Sequence, residues 1–169
     1  MSCSPRGDVQ PPSHCAKGGV IQINYERSFI DQAYKDAYDR ETGGVVKRLS
    51  EVAKNCNNDQ ACMSREMTTI QQRLMAEAKL PHVSWERIID HIDHAVKLVG
   101  IDHVGLGSDF DGANMPDDME DCSKLPKLTE ALMRKECSDD DIRKILGENT
   151  LRILEQAERV SRELKSQQQ

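Results

Sequence analysis

His103-Val104-Gly105-Leu106-Gly107-Ser108-Asp109-Phe110-Asp111-Gly112 is the stretch on which the fold turns. Val104 to Ser108 alternates apolar and small residues, as a short strand does. Asp109 then stands at the C-terminal end of that strand, where parallel-sheet and barrel α/β enzymes present their chemistry. Gly105 and Gly107 allow another backbone to come close, and Gly112 allows a sharp turn once the chain leaves the strand. Two readings of Asp109 stay open on spacing alone. It is a catalytic carboxylate at a strand mouth, or it only caps the next turn.

Working outward, a second strand is predicted at Gly19-Val20-Ile21-Gln22-Ile23-Asn24-Tyr25, β-branched and apolar after a glycine pair. Between the two strands, helical spacing is expected over 27–80, with Phe29, Ala33 and Ala37, then Val45, Leu49 and Val52, then Met63, Met67, Ile70, Leu74 and Ala78 as apolar positions. Pro81 interrupts the pattern. Ser84 is placed to cap a helix whose apolar stripe is Trp85, Ile88, Ile89, Ile92, Val96 and Val99, ended by Gly100. Strand, helices, strand is the order of a parallel crossover unit. Beyond the Asp-Phe-Asp-Gly turn, Pro126 opens a helix with Leu128, Ala131 and Leu132. Ser138 and Asp141 form an acidic capping box before Ile142, Ile145 and Leu146, and a last helix carries Leu151, Leu154, Ala157 and Val160. Residues 1–17 are expected to be irregular and 164–169 to fray, leaving 18–163 as the ordered part.

Charge and cysteine content narrow the function classes. Net charge is -6 with 31% charged residues over 169 positions, and no basic stripe stands out, so nucleic acid is not an expected partner. No apolar run approaches the roughly 20 residues that span a bilayer, and the first residues lack the apolar centre of a signal peptide. A soluble chain is expected, with cytoplasm and periplasm both open. The six cysteines contain no C-x-x-C pair. Cys56 and Cys62 bracket a polar turn that a disulfide closes in an oxidising compartment; otherwise both are free thiols.

Other constellations are weaker. Asp90-His91-Ile92-Asp93-His94 puts two imidazoles three residues apart on a helix, but a zincin pattern needs them four apart with a glutamate after the first, so an exposed polar face is the expected reading. Asp109, Asp111 and Glu120 fall at positions one, three and twelve of a calcium loop, yet Ala113 and Asn114 stand where a ligand and the turn glycine belong. Phe110 takes the place of the third glycine in a dinucleotide fingerprint. His103 lies at the N-terminal end of its strand, away from the chemistry.

Taken together and in order, Gly18-Gly19-Val20-Ile21-Gln22-Ile23-Asn24, Asp90-His91-Ile92-Asp93-His94 and Val104-Gly105-Leu106-Gly107-Ser108-Asp109-Phe110-Asp111-Gly112 resemble the membrane dipeptidase (renal dipeptidase) family. So do Met119-Glu120-Asp121, Leu125-Pro126 and Asp140 to Asn149, and the likeness runs from about Ala16 to Glu163. It implies an α/β fold, the C-terminal portion of a (β/α)8 TIM-type barrel of the amidohydrolase kind, with Val20 to Asn24 as the seventh strand and Val104 to Ser108 as the eighth. A closed barrel typically takes around 250 residues, more than this chain has. The resemblance further implies hydrolysis of dipeptides by two zinc ions, with Asp109 as the catalytic aspartate that moves protons between attacking water and leaving amine. That family's zinc ligands, a His-x-Asp, a bridging glutamate and two later histidines, have no counterpart in the matching region. His14 stands too close to Gly18 to serve as one. The expectation is therefore a C-terminal fragment of a zinc dipeptidase that holds no metal and is inactive alone. Its implied partners are a dipeptide in the intact enzyme and, left open, a second copy in a homo-oligomer. The rival reading, from another class, is a non-catalytic helical binding or scaffolding module.

Overall fold

The computed structural model describes residues 18–41, 45–57, 59–77 and 80–167. The expected irregular start, 1–17, lies outside them, as does His14. The chain divides into two compact units, Asp31–Val83 and a second comprising the residues up to Ile30 together with those from Ser84 onward.

The second unit holds the strands. β1 (Ile21–Asn24) and β2 (Val104–Ser108) pair in parallel, with Ile21 opposite Val104, Gln22 opposite Gly105 and Ile23 opposite Leu106. The register then slips, so that Asn24 faces Ser108 and Gly107 is the extra residue of a bulge. Gly107 is a glycine for a steric reason: a Cβ there would lie 3.1 Å from the Ile23 carbonyl oxygen and 3.1 Å from Gln22 Cβ. The bulge turns the end of β2 just before Asp109.

A four-residue helix, α1 (Arg27–Ile30), leaves β1. In the other unit come α2 (Gln32–Glu41), α3 (Val45–Asn55) and α4 (Gln60–Glu77). Phe29 and Ala33 were expected to share a buried face. Instead Phe29 is 67% exposed and Tyr34 and Ala37 are buried. The reason is Asp31, whose carboxylate accepts from Tyr34 N at 2.9 Å and starts a new helix, so periodicity counted across it loses its phase. Cys56 and Cys62 are joined in a disulfide between α3 and α4. Cys137 is also disulfide-bonded, whereas Cys122 is free and exposed.

α5 (Glu86–Val99) buries Ile88, Ile89, Ile92, Val96 and Val99 of the expected stripe, together with Ala95. Full burial of an isoleucine side chain is worth about 2 kcal/mol, so this face is the main tie between the helix and the strands. Trp85 precedes the helix and is half-buried. Ser84 was expected to cap this helix; its Oγ accepts from Glu86 N at 3.3 Å, but the N-cap position falls to Trp85, which makes no side-chain capping bond. Gly100 ends the helix at φ 88, a conformation that favours glycine, with its N–H bonded to the Val96 oxygen at 2.9 Å.

The chain closes with α6 (Pro126–Arg134), α7 (Asp139–Arg143), one wide π-type turn over Lys144–Glu148, and α8 (Asn149–Gln167). Ser138 caps α7 through Asp141 N at 3.1 Å. Leu146 was expected on the inner face with Ile145, but it is 42% exposed while Ile145 is sealed. Gly147, with φ 173° and ψ -24°, kinks the chain between the two helices, so the helical phase counted up to Ile145 does not carry through to Asn149, which is buried. α8 continues to Gln167, past the expected fraying point at 164, and its apolar residues Leu151, Leu154 and Val160 face outward. No helix among the described residues is long and apolar enough to cross a membrane.

Candidate active site

Because the strands run in parallel, their C-terminal ends open on one side, and the segments leaving them are tied to one another. Tyr25 N donates to the Ser108 oxygen at 3.1 Å, and the Tyr25 ring meets Phe110 edge-on at 5.9 Å between centroids. Arg27 N donates to the Asn114 oxygen at 3.0 Å, its guanidinium pairs with Asp117 at 2.9 Å, and its Nε reaches the Met115 oxygen. Glu26 accepts from Asn114 N. The loop after β2 is thus held along its length by the residues directly after β1.

Within this frame Asp109 is exposed at the strand mouth. Its carboxylate Oδ2 accepts from Asn24 Nδ2, across the strand pair, at 3.1 Å. The turn beyond is closed by the Asp109 main-chain oxygen, which accepts from Gly112 N at 3.2 Å and Ala113 N at 3.1 Å. A Cβ at residue 112 would lie only 2.7 Å from Asp109 Oδ1. Ser108 and Asp109 both have positive φ, 32° and 75°. Such conformations cost non-glycine residues about 1 kcal/mol or more each and persist where neighbours hold them, often at functional sites. Among the described residues the buried Tyr25 hydroxyl has no hydrogen-bond partner, and burial pushes its pKa up.

The other sequence candidates do not join this cluster. His91 Nε2 contacts the Ile30 carbonyl oxygen at 3.1 Å, Asp93 pairs with Lys97, Asp90 with Arg87 at 3.5 Å, and His94 is exposed. His103 Nδ1 lies 2.7 Å from the Gly19 oxygen, at the opposite end of the strands. The acidic run disperses: Asp117 goes to Arg27, Glu120 accepts from Asp118 N at 3.0 Å, and Asp121 accepts from Ser123 N at 2.7 Å. Hydrogen bonding to Ser123 also holds the Asp121 pKa below its ordinary value. Among the described residues no three His, Cys, Asp or Glu side chains come together as a metal site. Asn24 is the participant that sequence reasoning named only as part of a motif. Its signal was its place as last residue of a parallel strand, level with the Asp109 mouth.

Known proteins match this chain over part or most of its length. A profile of the membrane dipeptidase family, peptidase family M19, covers residues 15–168. The dipeptidase ataJ of Aspergillus terreus is 40% identical over 89 residues, 52% of this chain and 22% of that protein. The dipeptidase verJ of Clonostachys rogersoniana is 38% identical over 81 residues, 47% of this chain and 21% of that one. The chain thus spans about a fifth of the length of these relatives. Among solved structures, the probable dipeptidase PvdM from Pseudomonas aeruginosa superposes with a TM-score of 0.57 at 24% identity, over 89% of this chain and 42% of that one. The metallopeptidase dipeptidase AC superposes at 0.52 and 24%, over 83% of this chain and 29% of that one. At that identity the structures speak for the fold alone. With the profile matching most of its length, the chain belongs to the membrane dipeptidase family, peptidase family M19.

Proposed function

We propose that this chain supplies the seventh and eighth strands of a (β/α)8 barrel in a metal-dependent dipeptidase, and that Asp109 is its proton-transfer carboxylate. One observation carries the reading: Asp109 is held exposed at the C-terminal mouth of a parallel strand and braced by Asn24 from the neighbouring strand. A carboxylate so placed can accept a proton from an attacking water and return it to the leaving amine of a cleaved dipeptide.

The two zinc ions implied by the family likeness do not fit the described residues, which bring no ligand set together. In this proposal the ions are held by residues other than those described, and the isolated chain does not turn over dipeptides.

The test is a chimera in which the matching segment of the Aspergillus terreus dipeptidase is replaced by this chain's residues. The expected result is dipeptide hydrolysis that falls about a hundredfold or more on Asp109→Asn. An undiminished Asp109→Asn chimera would remove Asp109 from the chemistry. Chelator-sensitive hydrolysis by the isolated chain, abolished by Asp109→Asn, would refute its inactivity alone.

A further inference from the structure

We infer that Asn24 and Gly112 together decide which oxygen of Asp109 carries the proton, and that it is Oδ1. The inference rests on the proton-transfer reading of Asp109 and adds to it the two residues that orient the group.

The Asn24 carboxamide has a fixed orientation. Glu26 N donates to its Oδ1 at 2.8 Å, and because a backbone N–H only donates, the atom it meets must be the amide oxygen. Nδ2 therefore faces Asp109 Oδ2, at 3.1 Å. An amide nitrogen donates and does not accept, so a proton on Oδ2 would set two hydrogens against each other and break that bond. Oδ2 is the anchored oxygen. Oδ1 points over Gly112, where a Cβ would stand 2.7 Å away. The room that Oδ1 occupies exists because residue 112 has no side chain. Atoms and electrons then balance in two stages. Water's O–H bond breaks as its oxygen joins the carbonyl carbon, the C=O π pair moves onto the carbonyl oxygen to return when the amine leaves, and the proton moves to Oδ1. As the C–N bond breaks, that proton passes to the amine nitrogen and the carboxylate is restored. Asn24 is thus a positioning residue, acting through Asp109.

Asn24→Asp keeps the oxygen that accepts from Glu26 N and replaces the donor to Asp109 by a carboxylate oxygen that repels Oδ2, so it removes the anchor while leaving the Glu26 contact in place. In the isotope-labelled full chain, the three-bond couplings between Hα and the two Hβ of Asp109 report its side-chain rotamer. The wild type is expected to show one large and one small coupling. In Asn24→Asp they should collapse to two intermediate values while the Glu26 amide keeps its slow hydrogen exchange. In the chimera Gly112→Ala should lower kcat, because the added methyl takes the space of Oδ1, and an unchanged rate would remove Gly112 from the inference. Wild-type couplings retained in Asn24→Asp would overturn the inference, as would an already averaged wild type. In the chimera, Asn24→Asp should lower kcat roughly tenfold to a hundredfold with little change in KM. Collapsed couplings with an unchanged rate would uphold the positioning and sink the proton-transfer reading, so the two failures are distinct.

Discussion

Asn149 Nδ2 donates to the Val104 carbonyl oxygen at 2.9 Å and, through its second hydrogen, to the Ile101 oxygen at 2.8 Å. This single buried carboxamide, 3% exposed at the first position of α8, satisfies two main-chain acceptors at the entry to β2. Asn149→Ala would leave both carbonyls without it, and the expected loss is about 1–3 kcal/mol. Asn149→Asp should be worse, since a carboxylate would face two oxygens. Trp85 is the only tryptophan and lies in the same unit, so denaturant titration followed by its fluorescence measures both variants.

Gly107 is expected to tolerate alanine less well than Gly105. At Gly107 the new methyl would meet the Ile23 backbone oxygen at 3.1 Å, and main chain within a strand yields less readily than the end of a side chain. At Gly105 the nearest atom is Val20 Cγ1, at 3.3 Å, on a side chain that can adjust. Gly107→Ala should lose about 1–3 kcal/mol and Gly105→Ala less. The same fluorescence titration ranks them, and the reverse order would contradict the bulge geometry.

Local features of this fold were legible because neighbouring residues decide them. The stripe on α5, the Ser138 cap and the two strands all come from spacing within a few positions. The Cys56–Cys62 bridge, separated by 6 residues, is ambiguous in the sequence only for want of a redox context. Misreadings arose where one residue shifts the phase of a helix. Asp31 restarts α2 and leaves Phe29 outside, and the kink at Gly147 breaks the helical phase between Ile145 and Asn149. At the candidate site Asp109 was legible from its strand mouth, but Asn24 lies 85 positions away, and no local period reveals such a pairing. The outward face of α8 teaches a related lesson: periodicity shows that a face is apolar, not that this chain covers it.

The Cys56–Cys62 disulfide closes a short loop between α3 and α4, and loop-closure entropy for so few residues is worth about 2 kcal/mol. A Cys56→Ser/Cys62→Ser double variant should lower the thermal midpoint of the helical signal in far-ultraviolet circular dichroism. Reducing agent should bring the wild-type midpoint down toward that of the double variant. Equal midpoints for oxidised wild type and double variant would show that the bridge adds nothing to the Asp31–Val83 unit.

Asp102 and Lys144 form an ion pair at 2.7 Å that links the entry of β2 to the π turn. The hydrogen bond from Lys144 holds the Asp102 pKa below its ordinary 3.8, and the same bond raises that of Lys144 above its ordinary 10.5. A depressed carboxylate contributes stability that is present above its unfolded value and is lost as the pH falls through the folded one. A raised ammonium contributes stability present below its unfolded value and lost as the pH rises through the folded one. Lys144→Met should therefore be less stable than the wild type across the neutral range, with the difference vanishing in acid below the carboxylate range. Both groups are substantially exposed, at 59% for Asp102 and 36% for Lys144, so the plateau difference should be only a few tenths of a kcal/mol and shrink in high salt. Denaturant midpoints of the two proteins across pH and ionic strength measure it. A difference that persists undiminished at low pH would mean that Lys144 stabilises the turn by packing rather than by charge.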